Sequence, residues 1–496
     1  MPRFVYPTVL AVLALAACSE QPSAPRSYSG PSFAQVSSGV SNGTGRHIVS
    51  FAGKVPADFV TRVQALGGQL LWVSSGSGLA AVGGLTSSAA TALAGTAGIQ
   101  EVDADAGIPL DIPNLSVAQS ADGAGVTSNA NPAAAFFFPL QWNMRAVQAD
   151  VAWAHGFRGS PSVSIFMLDS GIDYLHLDLI GRVDLTRSVD LLGTFLVRTP
   201  SGVVVSFTEA DTVAKYFPAR AAFTDLFFHG THTSATVSSN ALVATGITSY
   251  TKLVAVKVCA YLNICPFSTI LNGVIYAANN GADVINLSLG GGFSKAGNGR
   301  FAGLLNKVFT YAQSKGITTV VSAGNAHADL DHDRNTYSTF CNTPGVVCVA
   351  ATGPTTDSTG LTSATGPWVD VDASAYYTNF GRSAISVAAP GGNSSFGDSL
   401  PYPASRDSWV WAACSQTSLL INCSASPTFI VGAQGTSMSA PHVAGTVALL
   451  VSILGRNPGA IKARIRQSAD DLGSPGTDPF YGKGRVNVAR AVGAIP

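Results

Sequence analysis

The sequence predicts an α/β protein with a doubly wound parallel sheet, preceded by a small α+β unit. Three observations predict it. From residue 163 to the C-terminus short apolar runs alternate with helical stretches, the order that builds a parallel sheet from βαβ units. Most of those runs are rich in Val and Ile without polar alternation, as suits strands covered on both faces. Ahead of them, residues 46–105 carry a shorter order of strand, helix, two strands, helix and strand, a ferredoxin-like arrangement.

The chain has 496 residues, long for one ordinary domain, and 46% of them are hydrophobic, enough for a large core. Lys plus Arg equals Asp plus Glu at 28 each, and no basic run is interleaved with aromatics, which argues against a nucleic-acid partner. Beyond the N-terminus no uninterrupted apolar run reaches the ~20 residues of a membrane-spanning helix, so the body is expected to be soluble.

Residues 1–18 form a leader: Arg3, an almost wholly apolar stretch over 5–17, then Leu15-Ala16-Ala17-Cys18. This resembles a bacterial lipobox, which implies lipidation at Cys18, and Ser19 fits outer-membrane sorting. The other reading is an ordinary secretory signal cut within residues 14–16; either one exports the chain. Residues 19–45, rich in Ser, Pro and Gly, read as a flexible tether. In the unit over 46–106, strands are expected at 47–51, 69–73, 79–82 and 99–102. Helices are expected after Pro56, where Phe59, Val63 and Leu66 share a face, and over the Ala-rich 87–97. Residues 107–135 read as a linker in which the chain is severed, and 136–496 as the main domain. Within it a helix is expected at 141–153, strands at 163–168, 253–258, 284–287, 318–322, 346–350 and 385–388, and closing helices at 460–472 and 486–492.

Apart from Cys18, six cysteines fall in close pairs: Cys259 with Cys265, Cys341 with Cys348, Cys414 with Cys423. Six thiols allow 15 connectivities. The short loops favour the neighbour pairing in an exported chain, with buried free thiols as the other reading.

Three segments carry chemistry. Asp169 closes the run Val-Ser-Ile-Phe-Met-Leu and leads into Ser170-Gly171-Ile172-Asp173, which puts a carboxylate at the end of a central strand. His229 lies in Phe228-His229-Gly230-Thr231-His232-Thr233, at the expected start of a helix. Ser437 lies in Gly435-Thr436-Ser437-Met438-Ser439-Ala440-Pro441-His442, in the first turn of an apolar helix, where negative charge is favoured. A Ser hydroxyl becomes a nucleophile when an imidazole takes its proton, and a buried carboxylate fixes that imidazole's tautomer. The order Asp, His, Ser and the absence of a Gly-x-Ser-x-Gly elbow set the chain apart from α/β-hydrolase esterases. Taken singly, Asp169 reads as a turn former and Ser437 as a helix cap; the conjunction carries the argument.

These three blocks, with Ala255-Val256-Lys257-Val258, Ser288-Leu289-Gly290 and Ser322-Ala323-Gly324-Asn325 between them, resemble the subtilisin-type (subtilase) family over residues 141–492. The resemblance implies a subtilisin-like fold and a serine endopeptidase that cuts proteins or peptides through an acyl-enzyme on Ser437, with no cofactor. His229 is then base and acid, Asp169 orients it, and Asn325 with the Ser437 N–H holds the oxyanion. Ser288, Leu289 and Gly290 are implied to pair with the substrate backbone. The unit over 46–106 is similar to family propeptides, implying an intramolecular inhibitor removed on maturation. Cleavage after Gly107 carries any lipid anchor away, leaving the membrane contact to the precursor and an enzyme released outside the cell. His176, His232 and His442 accompany the blocks as structural residues. Family members often bind structural calcium, but Asp329, Asp331 and Asp333 read equally as a solvated turn, so the metal is left open.

The sequence departs from the family at Phe227 and Phe228, where small or polar residues are usual; packing is the favoured reading, an apolar substrate wall the other. Residues 181–226 are longer than the usual link and read as an added hairpin, and 393–428 as an enlarged segment bordering the leaving-group side of the cleft. Two rival functions share these residues: an envelope lipoprotein that binds peptides without catalysis, and acyl transfer to an amine instead of water.

Overall fold

Val and Ile runs pair into a seven-stranded, wholly parallel sheet in the order Val387–Pro390, Val347–Thr352, Thr318–Ser322, Val284–Leu287, Ser164–Asp169, Lys252–Lys257, Val189–Asp190. The computed structural model describes residues 43–110, 118–120, 131–199, 202–290, 293–294, 299–332, 336–337, 340–354, 370–393, 408–424 and 426–496. The expected lipidation site Cys18 and nearly all of the expected tether lie outside these residues.

Alternate residues of each strand serve opposite faces. Phe166 and Leu168 pack with the helix Phe267–Asn279 and with Leu305, Val308 and Phe309 of Gly299–Ser314. Ile165 and Met167 pack on the other face with the helices Thr436–Leu454, Pro458–Gln467 and Val488–Val492. Thr436–Leu454 is long and apolar enough to cross a membrane, yet it is a core helix, buried along most of its length. Ser164–Asp169 comes first in the chain and is flanked by Lys252–Lys257 and Val284–Leu287. The connections diverge there, and ligands collect at such a switch point beyond the strands' C-terminal ends.

The sixth expected strand shifts by two residues, to Val387–Pro390, and a seventh, Val189–Asp190, arises in the long link, too short to show a period. The helix expected at 141–153 is two helices, Trp142–Ala146 and Ala149–Ala154, broken where Gln148 takes a left-handed φ of 56°. Residues 181–226 hold a hairpin, Thr194–Arg198 with Val204–Thr208, followed by the helix Glu209–Tyr216. Glu209 is buried there against Lys257 (Nζ to Oε1 2.6 Å), which ties the added segment to the sheet.

The N-terminal chain runs strand Gly43–Phe51, helix Phe59–Ala65, strands Gln69–Ser74 and Leu79–Gly83, helix Ser87–Ala94 and strand Ile99–Ile108. The four strands pair antiparallel in the order Ile99–Ile108, Gly43–Phe51, Leu79–Gly83, Gln69–Ser74, so the first and last lie side by side. Its limits differ from those expected. Gly43, read as tether, already pairs with Ala106, and Gly107 and Ile108, read as linker, pair with Pro266 and Cys265. Partner strands, not local composition, extend both ends. Asp105, buried in the seam, accepts from Thr44 Oγ1 (2.8 Å) and caps the helix Phe267–Asn279 through Ser268 N (2.8 Å) and Oγ (2.6 Å). Farther on, Ala118–Ser120 pairs antiparallel with Phe429–Ala433, the strand that leads to Ser437.

Cys259–Cys265, Cys341–Cys348 and Cys414–Cys423 are disulfides, the neighbour pairing.

Candidate active site

Asp169 ends its strand fully buried. Gly171 then turns the chain at φ +110°, where a Cβ would stand 2.4 Å from the Phe223 carbonyl oxygen. A Cβ on Gly230 would stand 2.1 Å from the Gly171 carbonyl oxygen, so two glycines bring the strand-end loop against the helix His229–Val237. Across that approach His229 Nδ1 meets Asp169 Oδ1 at 2.7 Å. The same oxygen accepts from Ser170 N (2.7 Å), and Oδ2 accepts from Thr233 Oγ1 (3.0 Å). A carboxylate held by these donors accepts the Nδ1 proton and leaves the lone pair on Nε2. Nε2 is buried without a hydrogen-bond partner among the described residues.

Ser437 is the second residue of Thr436–Leu454 and is 4% exposed. Its hydroxyl donates to the Ser288 carbonyl at 2.9 Å. Asn325 Oδ1 accepts from Thr436 N and Thr436 Oγ1, both at 2.9 Å, and Thr436 Oγ1 accepts from Gly324 N at 2.9 Å. A backbone N–H must donate, so the Asn325 oxygen faces Thr436 and the amide nitrogen is turned away. Leu289 O accepts from Ser322 Oγ (3.1 Å), and Gly290 lies where a Cβ would meet Gly324 Cα at 3.4 Å. The backbone over Ser288, Leu289 and Gly290 therefore runs beside Ser322 and Gly324, with its Ser288 carbonyl at the Ser437 hydroxyl.

The three accompanying histidines bond to backbone or amide groups: His176 Nε2 with Phe429 O, His232 Nε2 with Val410 O, His442 Nε2 with Asn143 Nδ2. Burial pushes His232 down to about 3 and His442 to about 4, which keeps both neutral. Phe227 and Phe228 are buried and stack at 5.1 Å, the packing reading. Phe228 sits at φ 144°, a region that favours glycine.

Among known proteins, the subtilase family matches residues 160–484. The chain belongs to that family. Thermitase of Thermoactinomyces vulgaris is 28% identical over 360 residues, covering 72% of this chain and 97% of thermitase. Subtilisin E of Bacillus subtilis is 26% identical over 355 residues, covering 71% of each. The crystal structure of the epidermin leader peptide processing serine protease of Staphylococcus aureus matches in fold, with TM-score 0.65 at 19% identity, covering 90% of this chain and 97% of that one. This subtilase is accordingly a serine endopeptidase, a hydrolase of peptide bonds in proteins or peptides.

Calcium, which family members often bind, finds no fit at Asp329 and Asp331. Asp331 already accepts from Ser383 N and Oγ, Asp329 accepts from His332, and Asp333 lies outside the described residues. Among the described residues no group of three His, Cys, Asp or Glu side chains is placed to hold a metal.

Sequence reasoning missed three supports of the subtilase site. Thr436 orients Asn325, Thr233 holds Asp169, and Asp225 joins the Asp169 and His229 loops. Asp225 had one visible signal, an acid four residues before a helix-starting His.

Proposed function

We propose that this subtilase is an exported endopeptidase that cuts off its own N-terminal unit and then hydrolyses protein substrates through an acyl-enzyme on Ser437. The observation that carries the reading is the buried His229–Asp169 bond at 2.7 Å with Nε2 unpartnered, on a helix beside the Ser437 helix. The Ser437 hydroxyl turns from the Ser288 carbonyl to His229 Nε2, gives up its proton and attacks the scissile carbonyl. Negative charge grows on the carbonyl oxygen, and Asn325 Nδ2 and the Ser437 N–H stabilise it. His229 returns the proton to the leaving amine, then draws one from the water that attacks the acyl-enzyme and passes it to Ser437 Oγ as the acyl–Oγ bond breaks, while Asp169 holds the imidazole and its positive charge. Substrate pairing along Ser288, Leu289 and Gly290 engages backbone groups, which suits broad sequence tolerance.

Two contacts support an N-terminal unit that shields the enzyme until removed. Its last strand pairs with Cys265–Pro266, and Ala118–Ser120 lies on the strand running into the nucleophile's turn. The bond to be cut lies in residues 107–135. Export is supported by the leader and by three disulfides, which persist in oxidising compartments. A lipid on Cys18 holds the precursor at the outer membrane, and cleavage past Gly107 releases the peptidase body.

The test incubates the purified full chain beside its Ser437→Ala variant, with intact mass and fluorophosphonate labelling as readouts. Loss of a fragment ending within 107–135 and labelling at Ser437, both absent from the variant, are expected. A wild-type chain that stays full length and unlabelled while folded overturns catalysis.

A further inference from the structure

Asp225 is a fully buried carboxylate that takes no part in the reaction above, and among the described residues its side chain accepts five hydrogen bonds. Oδ1 accepts from Ser170 Oγ (2.9 Å), Phe227 N (2.9 Å) and Phe228 N (3.1 Å); Oδ2 accepts from Thr231 N (2.8 Å) and Thr231 Oγ1 (2.7 Å). Ser170 follows Asp169, and Thr231 lies in the first turn of the helix that His229 begins. Ser170 Oγ in turn accepts from Gly230 N (3.0 Å), so one hydroxyl bridges Asp225 to the residue after His229. Phe228 is held at φ 144° by the bond from its N–H, directly before His229.

The disulfide loop grips the same turn from outside. Ser415 Oγ (2.6 Å) and Thr417 Oγ1 (2.8 Å) donate to the Asp225 carbonyl, Ser418 Oγ donates to the Phe227 carbonyl, and Leu419 N donates to the Leu226 carbonyl (2.9 Å). Gln416 ties the loop to the Asp169 side through Asp173 Oδ2 (2.8 Å from N). The His229 turn is thus clamped between a carboxylate inside and a stapled loop outside.

We propose that Asp225 is a positioning residue of the catalytic centre: its carboxylate joins the loop of Asp169 to the turn of His229 and so sets the hydrogen bond between them. This rests on the proposed roles of Asp169, His229 and Ser437. The ionised form accepts all five of these bonds at once, and backbone N–H groups meet both of its oxygens. Burial pushes the Asp225 carboxyl above its ordinary range, its hydrogen bonds pull it back, and the Asp169 charge adds to the upward push. The other charged and titratable groups about the pair are His232 on the His229 helix, Lys257 with Glu209 beside Thr224, and Asp173 with Arg220.

Asp225→Asn keeps the shape, removes the charge and turns an NH2 against backbone donors on one side. The experiment measures kcat and KM separately on a chromogenic peptide, and the pH profile of kcat/KM, for the processed wild type and this variant. A fall in kcat of about tenfold to a hundredfold with little change in KM is expected, since misplacing a base costs rate and not binding. The acid limb should also move to lower pH, because loss of a nearby negative charge disfavours the His229 imidazolium. Wild-type kcat, or a loss of activity that only tracks the folded fraction with the acid limb in place, overturns the proposal. Ser170→Ala serves if Asp225→Asn does not fold, because it cuts the bridge and leaves the charge. Its kcat should fall about fivefold or more with the acid limb unmoved, and an unchanged kcat overturns the proposal. A wild-type chain without turnover faults the catalytic reading; where the wild type turns over, a variant at wild-type kcat faults the role of Asp225 alone.

Discussion

Two bonds from Thr436 to Asn325 Oδ1 fix which end of that planar amide carries the donor hydrogens. In the proposed reaction that donor is aligned before substrate arrives, so it costs no reorganisation when the carbonyl oxygen gains charge. Asn325→Ala should lower kcat by about two to three orders of magnitude, a size for which the precedent is itself a subtilisin, and change KM little. Steady-state kinetics on a chromogenic peptide check this; a rise in KM with kcat intact would place Asn325 in ground-state binding. Asp169, His229, Ser437 and Asn325 could be named as candidates from the sequence because each lies in a short block whose residue types suit one chemistry, and the structure brings Asp169 and His229 to 2.7 Å. Asp225 could not be so named, because its meaning lies in Ser170 and Ser415, 55 and 190 residues away in sequence, and an isolated Asp before a His reads as a turn. Phe228 was visible as a departure, but its strained φ was not, since nothing local tells that Asp225 holds the turn.

Elements whose partners surround them on both faces were the legible ones: Val284–Leu287 and Thr318–Ser322 fall on the expected residues because Val and Ile runs have no other use there. Elements that depend on a distant partner were not. The helix Glu209–Tyr216 is amphipathic but short, and its anchoring Glu209 is intelligible only beside Lys257. The added hairpin has a use of the same long-range kind. Arg46, in the first strand of the N-terminal unit and 4% exposed, donates from Nε (3.1 Å) and Nη2 (2.7 Å) to the Thr194 carbonyl and from Nη2 to the Leu192 carbonyl. Its guanidinium also lies 5.5 Å from the centre of the Phe195 ring. Truncating a buried, hydrogen-bonded charge at an interface costs roughly 2–5 kcal/mol. Under the proposed self-cleavage, Arg46→Ala should therefore weaken the hold on the severed N-terminal fragment by about thirtyfold or more. After processing of the full chain, size-exclusion chromatography should find the wild-type fragment co-eluting with the peptidase body and the Arg46→Ala fragment separating, with a shorter lag before activity. Equal co-elution and equal lag would reduce the hairpin to decoration. Arg300→Ala, which removes exposed pairs with Glu101 and Asp103, should change the hold far less.

Across the whole molecule, protonation and folding are coupled through groups far from one another. His232 at about 3 and His442 at about 4 are buried neutral, below their ordinary value of 6.5. From 6.5 down toward those values the unfolded chain binds protons that the folded chain refuses, so each histidine's contribution is lost as pH falls. Half-buried His47, also lowered, adds in the same direction. Glu209 opposes them: burial pushes it up to about 7 against the pull of Lys257, so between 4.5 and 7 the folded chain holds a proton the unfolded chain gives up. Acidification through that window therefore favours the fold at this one site. Each group well inside its window is worth about 1.4 kcal/mol per pH unit, so two histidines against one glutamate leave a net loss as pH drops below about 6.5. In the carboxylate range Asp105, Asp178 and Asp225, raised by burial, join Glu209, while Asp184 and Asp470, held down against burial by their hydrogen bonds with Arg187 and Arg485, act with the histidines. The Ser437→Ala full chain should show a Tm that falls as the pH drops below about 6.5. Glu209→Gln should steepen that fall, because it removes the opposing group, and His442→Gln should flatten it while lowering Tm at neutral pH. A Tm that rises on acidification through the same window would mean that the carboxyls outweigh the histidines, and the buried imidazoles would then not govern the acid limit of the fold.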